Sequence, residues 1–248
     1  MKTPLLTLLL LPLLAAFSPC ASSQDFPHNS RLYLAGGVTT YWINGYNPGS
    51  QPLFQKDTTE VFGGGIYGQQ PGLSLKAIYM IDTGRIYRLT LGGDYFFVSG
   101  GQRIEEEFFS LTARHTLNIM AISGGFEYAF ATIPLANARV YAGVEGRFSF
   151  LENIRFESRL FYKDFDSLVV RNREAKESAM RFGTTLRLGV EGEIFDPAYV
   201  NISVAYNAIN MFNRDDNRGE LLTPQNFAEQ KESVVGNLFF SFWLQYRL

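Results

Sequence analysis

The sequence predicts an all-β chain, an antiparallel up-and-down transmembrane β-barrel of eight strands, with ten as the alternative count. Three observations predict it. Segments of apolar/polar alternation recur, the connections between them alternate long and short, and the last segment runs to the final residue. A period of two marks a strand with one greasy face and one wetter face. Beyond the leader no apolar run is long enough for a membrane helix, and alternation hides a lipid-facing strand from any window average.

Met1-Lys2 is followed by a leucine-rich run to Phe17, broken by Pro12, and then by small residues. A positive start, a short apolar stretch and a small-residue cut site make a secretory signal. Residues 1–23 are read as that signal, with Ala21-Ser22-Ser23 before the cut, and 24–248 as the barrel domain. A rival reading lipidates Cys20, for which Phe17-Ser18-Pro19 is a poor approach. Cut after Ser23, the mature chain carries no cysteine and is not held by disulfides. A net charge of −2 gives no electrostatic case for nucleic acid.

In chain order, Leu32, Leu34, Val38 and Trp42 share the first apolar face. Residues 58–68 look strand-like, but Gly63-Gly64-Gly65 leaves their facing open. Tyr87, Leu89, Leu91, Tyr95 and Phe97 oppose Arg88, Thr90, Asp94 and Phe96. Met120, Ile122, Phe126, Tyr128 and Phe130 oppose Ala121, Ser123, Gly125 and Glu127. Ala138 to Phe150, Met180 to Ile194, and residues 199–210 repeat the design. The last strand sets Leu238, Phe240, Phe242, Leu244, Tyr246 and Leu248 against Asn237, Phe239, Ser241, Trp243, Gln245 and Arg247.

Loops 43–57, 99–114, 153–177 and 213–233 are long, whereas Thr132 to Asn137 and Asp196-Pro197-Ala198 are short. Leu73 to Asp82 also alternates, but counting it gives nine strands. Single-chain bacterial barrels have an even number, so 69–85 is read as a connection on the short side. Aromatics near strand ends (Tyr41, Trp42, Phe97, Phe130, Phe150, Phe195, Tyr199 and Phe212) suit interfacial girdles. Glycine pairs within strands suit a tightly coiled wall.

The predicted inner faces carry Arg88, Asp94, Glu127, Glu145, Arg147, Arg181, Arg187, Glu191, Glu193 and Arg247. An eight-stranded interior is just filled by side chains, and buried charges persist when paired. The expectation is an Arg–carboxylate network that plugs the lumen. The competing reading is a water-filled cavity that solvates each group.

Catalytic and metal chemistry finds little support. A Ser–His–acid hydrolase would need Ser110 or a nearby Ser, with His115 and a carboxylate, and no spacing requires them. Asp94 and His115 only faintly suggest an acidic/His pair, and His28 has no motif around it. No His/Cys spacing marks a metal site. Asp215-Asp216-Asn217-Arg218-Gly219-Glu220 and Glu105-Glu106-Glu107 read as solvated loops. No catalytic residue, metal or cofactor is expected.

The signal, the alternation, the loop rhythm and the terminal strand together resemble the small bacterial outer-membrane barrels of the OmpA, OmpX and OmpW type. In that family the last strand carries the insertion signal, which falls here on Phe240, Phe242, Leu244, Tyr246 and Leu248. The usual final residue is Phe, so Leu248 is a departure. The resemblance implies a bacterial outer-membrane location reached through the signal. Its implied partners are outer-membrane lipid, lipopolysaccharide and the barrel-insertion machinery, and a monomer is expected. The function expected is non-enzymatic, structural or adhesive, exercised through the outward loops. The alternatives are a narrow channel or transporter for small or hydrophobic solutes, a lipid A-modifying enzyme, and a soluble lipocalin-like barrel with its faces reversed.

Overall fold

Nine antiparallel strands account for most of the computed structural model, which describes residues 30–43, 46–54, 63–134, 137–174, 176–215, 217–224 and 232–248. They are β1 (Leu32–Ile43), β2 (Gln69–Met80), β3 (Tyr87–Glu105), β4 (Phe109–Ile133) and β5 (Ala138–Tyr162), then β6 (Ser167–Glu174), β7 (Ala179–Phe195), β8 (Ala198–Phe212) and β9 (Gly236–Arg247). The signal reading of 1–23, Cys20, His28, Asp216, residues 55–57 of the first long loop and residues 58–62 of the strand-like stretch lie outside the described residues.

Each strand pairs with the next, except that β5 pairs with both β6 and β7, and β9 returns to β1. Because β6 pairs only with β5, the ring has eight strands and β6 is an arm outside it. Tyr33 lies opposite Arg247 and Ile43 opposite Asn237, so first and last strands close the wall over their whole length. Closure pairs the backbone polar groups internally, which a bilayer demands.

Side-chain parity follows the sequence period. Leu73, Leu75, Leu89, Leu91, Met120, Ile122, Leu186, Leu188, Ile202, Phe242 and Leu244 face outward and are exposed. Lys76, Arg88, Glu127, Glu145, Arg187 and Glu191 face inward and are buried. An apolar exterior around an ionic interior inverts the soluble arrangement.

Two expectations change. Residues 69–85, read as a connection, contain β2, whose register runs from Leu32 opposite Tyr79 to Trp42 opposite Gln69. The described part of the 58–68 stretch, residues 63–68, forms no ladder, so the even count survived by exchanging one strand for another. Glycine decides the difference. A Cβ on Gly64 would lie 2.4 Å from the carbonyl oxygens of Gly49 and Leu222, and Gly65 has φ of +66°. This run is shaped for close backbone packing inside the barrel mouth, not for bending a strand.

The second change concerns loops 99–114 and 153–177, which are largely strand. β4 and β5 each have 25 residues, more than twice the roughly 9–11 that span a bilayer. With β3 and β6 they rise past the girdle as a four-stranded sheet. Above the girdle the inward side chains are smaller or polar (Gly100, Gln102, Ala113), which makes the alternation hard to see. Tyr41 and Tyr199, read as girdle aromatics, instead point inward and are buried.

Candidate functional site: a charge-paired lumen beneath a loop cap

Both ends of the wall, Leu32 and Arg247, lie at the end bearing the short turns, including Ile81–Ile86 between β2 and β3. There Asp82 Oδ1 accepts the amides of Ile86 and Tyr87 at 2.9 and 2.8 Å and fixes the turn.

From that end the lumen fills in layers. Arg88 Nη1 donates to Glu191 Oε2 at 2.6 Å, with its guanidinium 4.8 Å from the Tyr141 ring centre. Lys76 Nζ reaches Glu127 Oε1 at 3.1 Å and Glu145 Oε1 at 2.5 Å. Arg187 approaches Glu145 from β7 at 3.1 Å and donates to Ser203 at 2.9 Å. Trp243 lies between these cations, with Lys76 Nζ 4.9 Å and the Arg187 guanidinium 4.7 Å from its ring. One layer on, Arg147 donates to Asp94 at 2.5 Å and lies 4.7 Å from the Phe239 ring centre.

Phe96 and Phe239 then stack at 5.2 Å, and the lumen turns apolar. Tyr41, Leu117, Ile119, Leu151 and Ile209 from the wall pack with Ile66, Leu221, Leu222 and Val235 from the long connections. The connections thus fold back into the mouth as a cap. Leu53 and Phe54 lean on Ala113 and Phe156 of the rising sheet. Above this layer Arg181 grips Glu232, whose carboxylate also accepts Asn210 Nδ2 at 2.7 Å and the Asp215 amide at 3.0 Å. Lys176 Nζ donates to the Glu220 carbonyl at 2.6 Å and to Thr223 Oγ1 at 3.2 Å. Burial, and secondarily the charge of Arg218, pushes the Lys176 ammonium down to about 7.

Of the ten predicted lumen charges, Arg88, Asp94, Glu127, Glu145, Arg147, Arg187 and Glu191 line the barrel and, with Lys76, form four cation–carboxylate pairs, of which Arg147–Asp94 shares no bridge with the other three. The fourth cation closing those pairs is Lys76, which the sequence reading left in a connection. Arg181 pairs not with a wall carboxylate but with Glu232 of the cap. Glu193 and Arg247 sit at the short-turn rim, on Asn137 and Asp196. Five buried cations (Lys76, Arg88, Arg147, Arg181, Arg187) thus pair with five buried carboxylates (Asp94, Glu127, Glu145, Glu191, Glu232), whereas Lys176 and Glu220 are buried in the cap and form no ion pair with each other. Of the terminal strand, Phe240, Phe242, Leu244 and Tyr246 face outward, and the Leu248 amide bonds the Leu32 carbonyl at 3.0 Å. Lys76 had a signal in Leu73, Leu75 and Tyr79 alternating around it; Glu232 had none, lying in a loop without period.

The hydrolase constellation does not form. His115 is buried against the Gly64 carbonyl at 3.1 Å, and Asp94 belongs to Arg147. Ser110 and His115 differ in parity on β4, so they point to opposite faces. Among the described residues no group of three or more His, Cys, Asp or Glu side chains could hold a metal ion.

Apolar wall, ionic lumen and closed ladder define the class: an eight-stranded antiparallel barrel of the transmembrane kind. No family model matches the chain, and no curated protein does. Among solved structures the chain is similar to Neisserial surface protein A (NspA), at 13% identity and TM-score 0.45 over 88% of this chain and 98% of that one. It is similar also to OprG of Pseudomonas aeruginosa, at 11% and 0.44 over 88% and 95%. A third is Ail, the attachment invasion locus protein of Yersinia pestis, at 9% and 0.38 over 88% and 99%. The fold assignment stands on the ladders and registers above.

Proposed function

We propose that this is a non-enzymatic outer-membrane barrel with a sealed lumen, which makes contacts at the cell surface through its rising sheet. The short-turn end then faces the periplasm and the long-connection end faces outward, in the habit of such barrels. Lipid and lipopolysaccharide surround the wall, and the insertion machinery reads β9.

The observation that carries the adhesive reading is the sheet of β3 to β6. Its last strand, β6, pairs with β5 alone, and its other edge meets no described strand. Leu168, Val169 and Val170 are exposed along it, and Phe108 and Phe165 stand 59% and 80% exposed at the hairpin tips. An open edge accepts an extended peptide by strand addition, and exposed aromatics supply anchors. The paired lumen and apolar cap speak against conduction.

Two measurements test the reading. The refolded protein in planar bilayers is expected to show no steady conductance; steady conductance would favour the channel alternative. Val170→Pro, placed where the ladder alternation turns the amide away from β5 and toward the open edge, is expected to abolish surface attachment while the barrel still folds. Attachment unchanged by that variant and by Phe165→Ser would remove the adhesive role.

A further inference from the structure

Among the described residues of the cap, unlike those of the lumen, two cations, Lys176 and Arg218, have no carboxylate in ion-pair contact. Glu232 is saturated by Arg181, Asn210 and the Asp215 amide. Glu220 turns Oε2 to the amide and hydroxyl of Ser233, at 3.1 and 2.7 Å, and gives Lys176 only its backbone carbonyl. Lys176, 7% exposed, therefore has neutral acceptors and, among the described residues, no ion pair. Among the described residues Arg218 has none either, and its Nε and Nη2 are buried without a hydrogen-bond partner. A buried cation lacking a counter-ion is costly, as is a buried guanidinium N–H lacking an acceptor.

We propose that the cap binds a small oxyanion, a phosphate, sulfate or carboxylate group, between Lys176 and Arg218. The charged and titratable groups around the site are His115 of β4, Arg181 of β7, and Asp215, Glu177, Glu220 and Glu232 of the cap segments. Both glutamates that face Lys176 already hold other donors, so an added anion completes the site rather than competing with them. Arg218 is only half-buried, which leaves an approach from the loop surface. The site belongs to the folded cap and holds whichever compartment the cap faces.

The test is titration of inorganic phosphate into the detergent-held full barrel at constant ionic strength, with chloride as reference, following the Lys176 side-chain nitrogen resonance. Saturable binding is expected, and with sulfate as the probe, whose charge does not change across this range, it is stronger below the Lys176 midpoint of about 7 than above it, because the anion favours the ammonium. Lys176→Met and Arg218→Gln should each weaken it roughly tenfold or more, the worth of one charge-assisted hydrogen bond. Arg218 is a half-buried loop residue, so its variant does not threaten the fold. Micelles carrying a phosphorylated glycolipid separate the sources: competition with phosphate assigns a lipid headgroup, and no competition assigns a free anion. No saturable shift at either pH, or binding unchanged in both variants, would overturn the proposal.

Discussion

Arg181 and Glu232 meet in a two-pronged ion pair, Nε to Oε1 at 2.8 Å and Nη2 to Oε2 at 2.6 Å, joining β7 to the segment before β9. Both side chains are nearly inaccessible, so each depends on the other for its charge. Glu232→Ala leaves Arg181, Asn210 and the Asp215 amide without their acceptor. Breaking a buried pair from one side costs about 3–5 kcal/mol. The expected outcome is local: residues 217–224 and 232–235 become protease-sensitive while the barrel keeps its folded migration on gels. If cleavage is no faster than in the parent, the pair does not hold the cap.

Lys76 has the same standing within the wall, where it serves two carboxylates. Lys76→Met should destabilise the barrel by about 3–5 kcal/mol, because Glu127 and Glu145 then share Arg187 and a longer reach to Arg88. Adding Glu127→Gln should recover part of the loss, since it removes the charge left without a partner. Urea unfolding in micelles measures both, and a double variant no better than the single would refute the pairing argument.

That lysine also shows where the sequence was legible. The alternation that exposes Arg88, Glu145 and Arg187 is equally present around Lys76, but the parity rule requires one strand fewer, and residues 58–68 read as a strand in its place. Periodicity reports a strand whose two sides meet different media, and that condition fails in two places. Above the girdle both faces of β3 to β6 meet water or the cap, so strand was read as loop. Inside the mouth, Ile66, Leu221 and Leu222 fill the lumen from irregular backbone, which carries no period. Wall polarity was therefore readable, and the cap was not.

The cap should also respond to pH through Lys176. Its folded pKa of about 7 lies below the ordinary 10.5, because burial and then Arg218 disfavour the charge. Between these values the released cap binds a proton that the closed cap does not, so closure gains stability as pH rises through that window. Below about 7 both states are protonated and the dependence flattens. Amide exchange at 220–224 should slow relative to intrinsic rates from neutral to alkaline pH in the parent. In Lys176→Met that trend should vanish; its persistence would place the titrating group elsewhere.

The direction of the wall can be tested at one residue. Leu186 lies at the middle of β7's apolar face and is 59% exposed, between inward Thr185 and Arg187. In water, an exposed Leu→Arg change is nearly neutral. Against acyl chains it costs about 2–4 kcal/mol at the midplane and little near the interface. Phe165, 80% exposed at the β5–β6 tip, is the matching control beyond the bilayer. In lipid vesicles Leu186→Arg should therefore destabilise folding by that amount while Phe165→Arg leaves it unchanged. Equal, small effects at both positions would mean that the apolar face meets water, and the transmembrane assignment would fall with it.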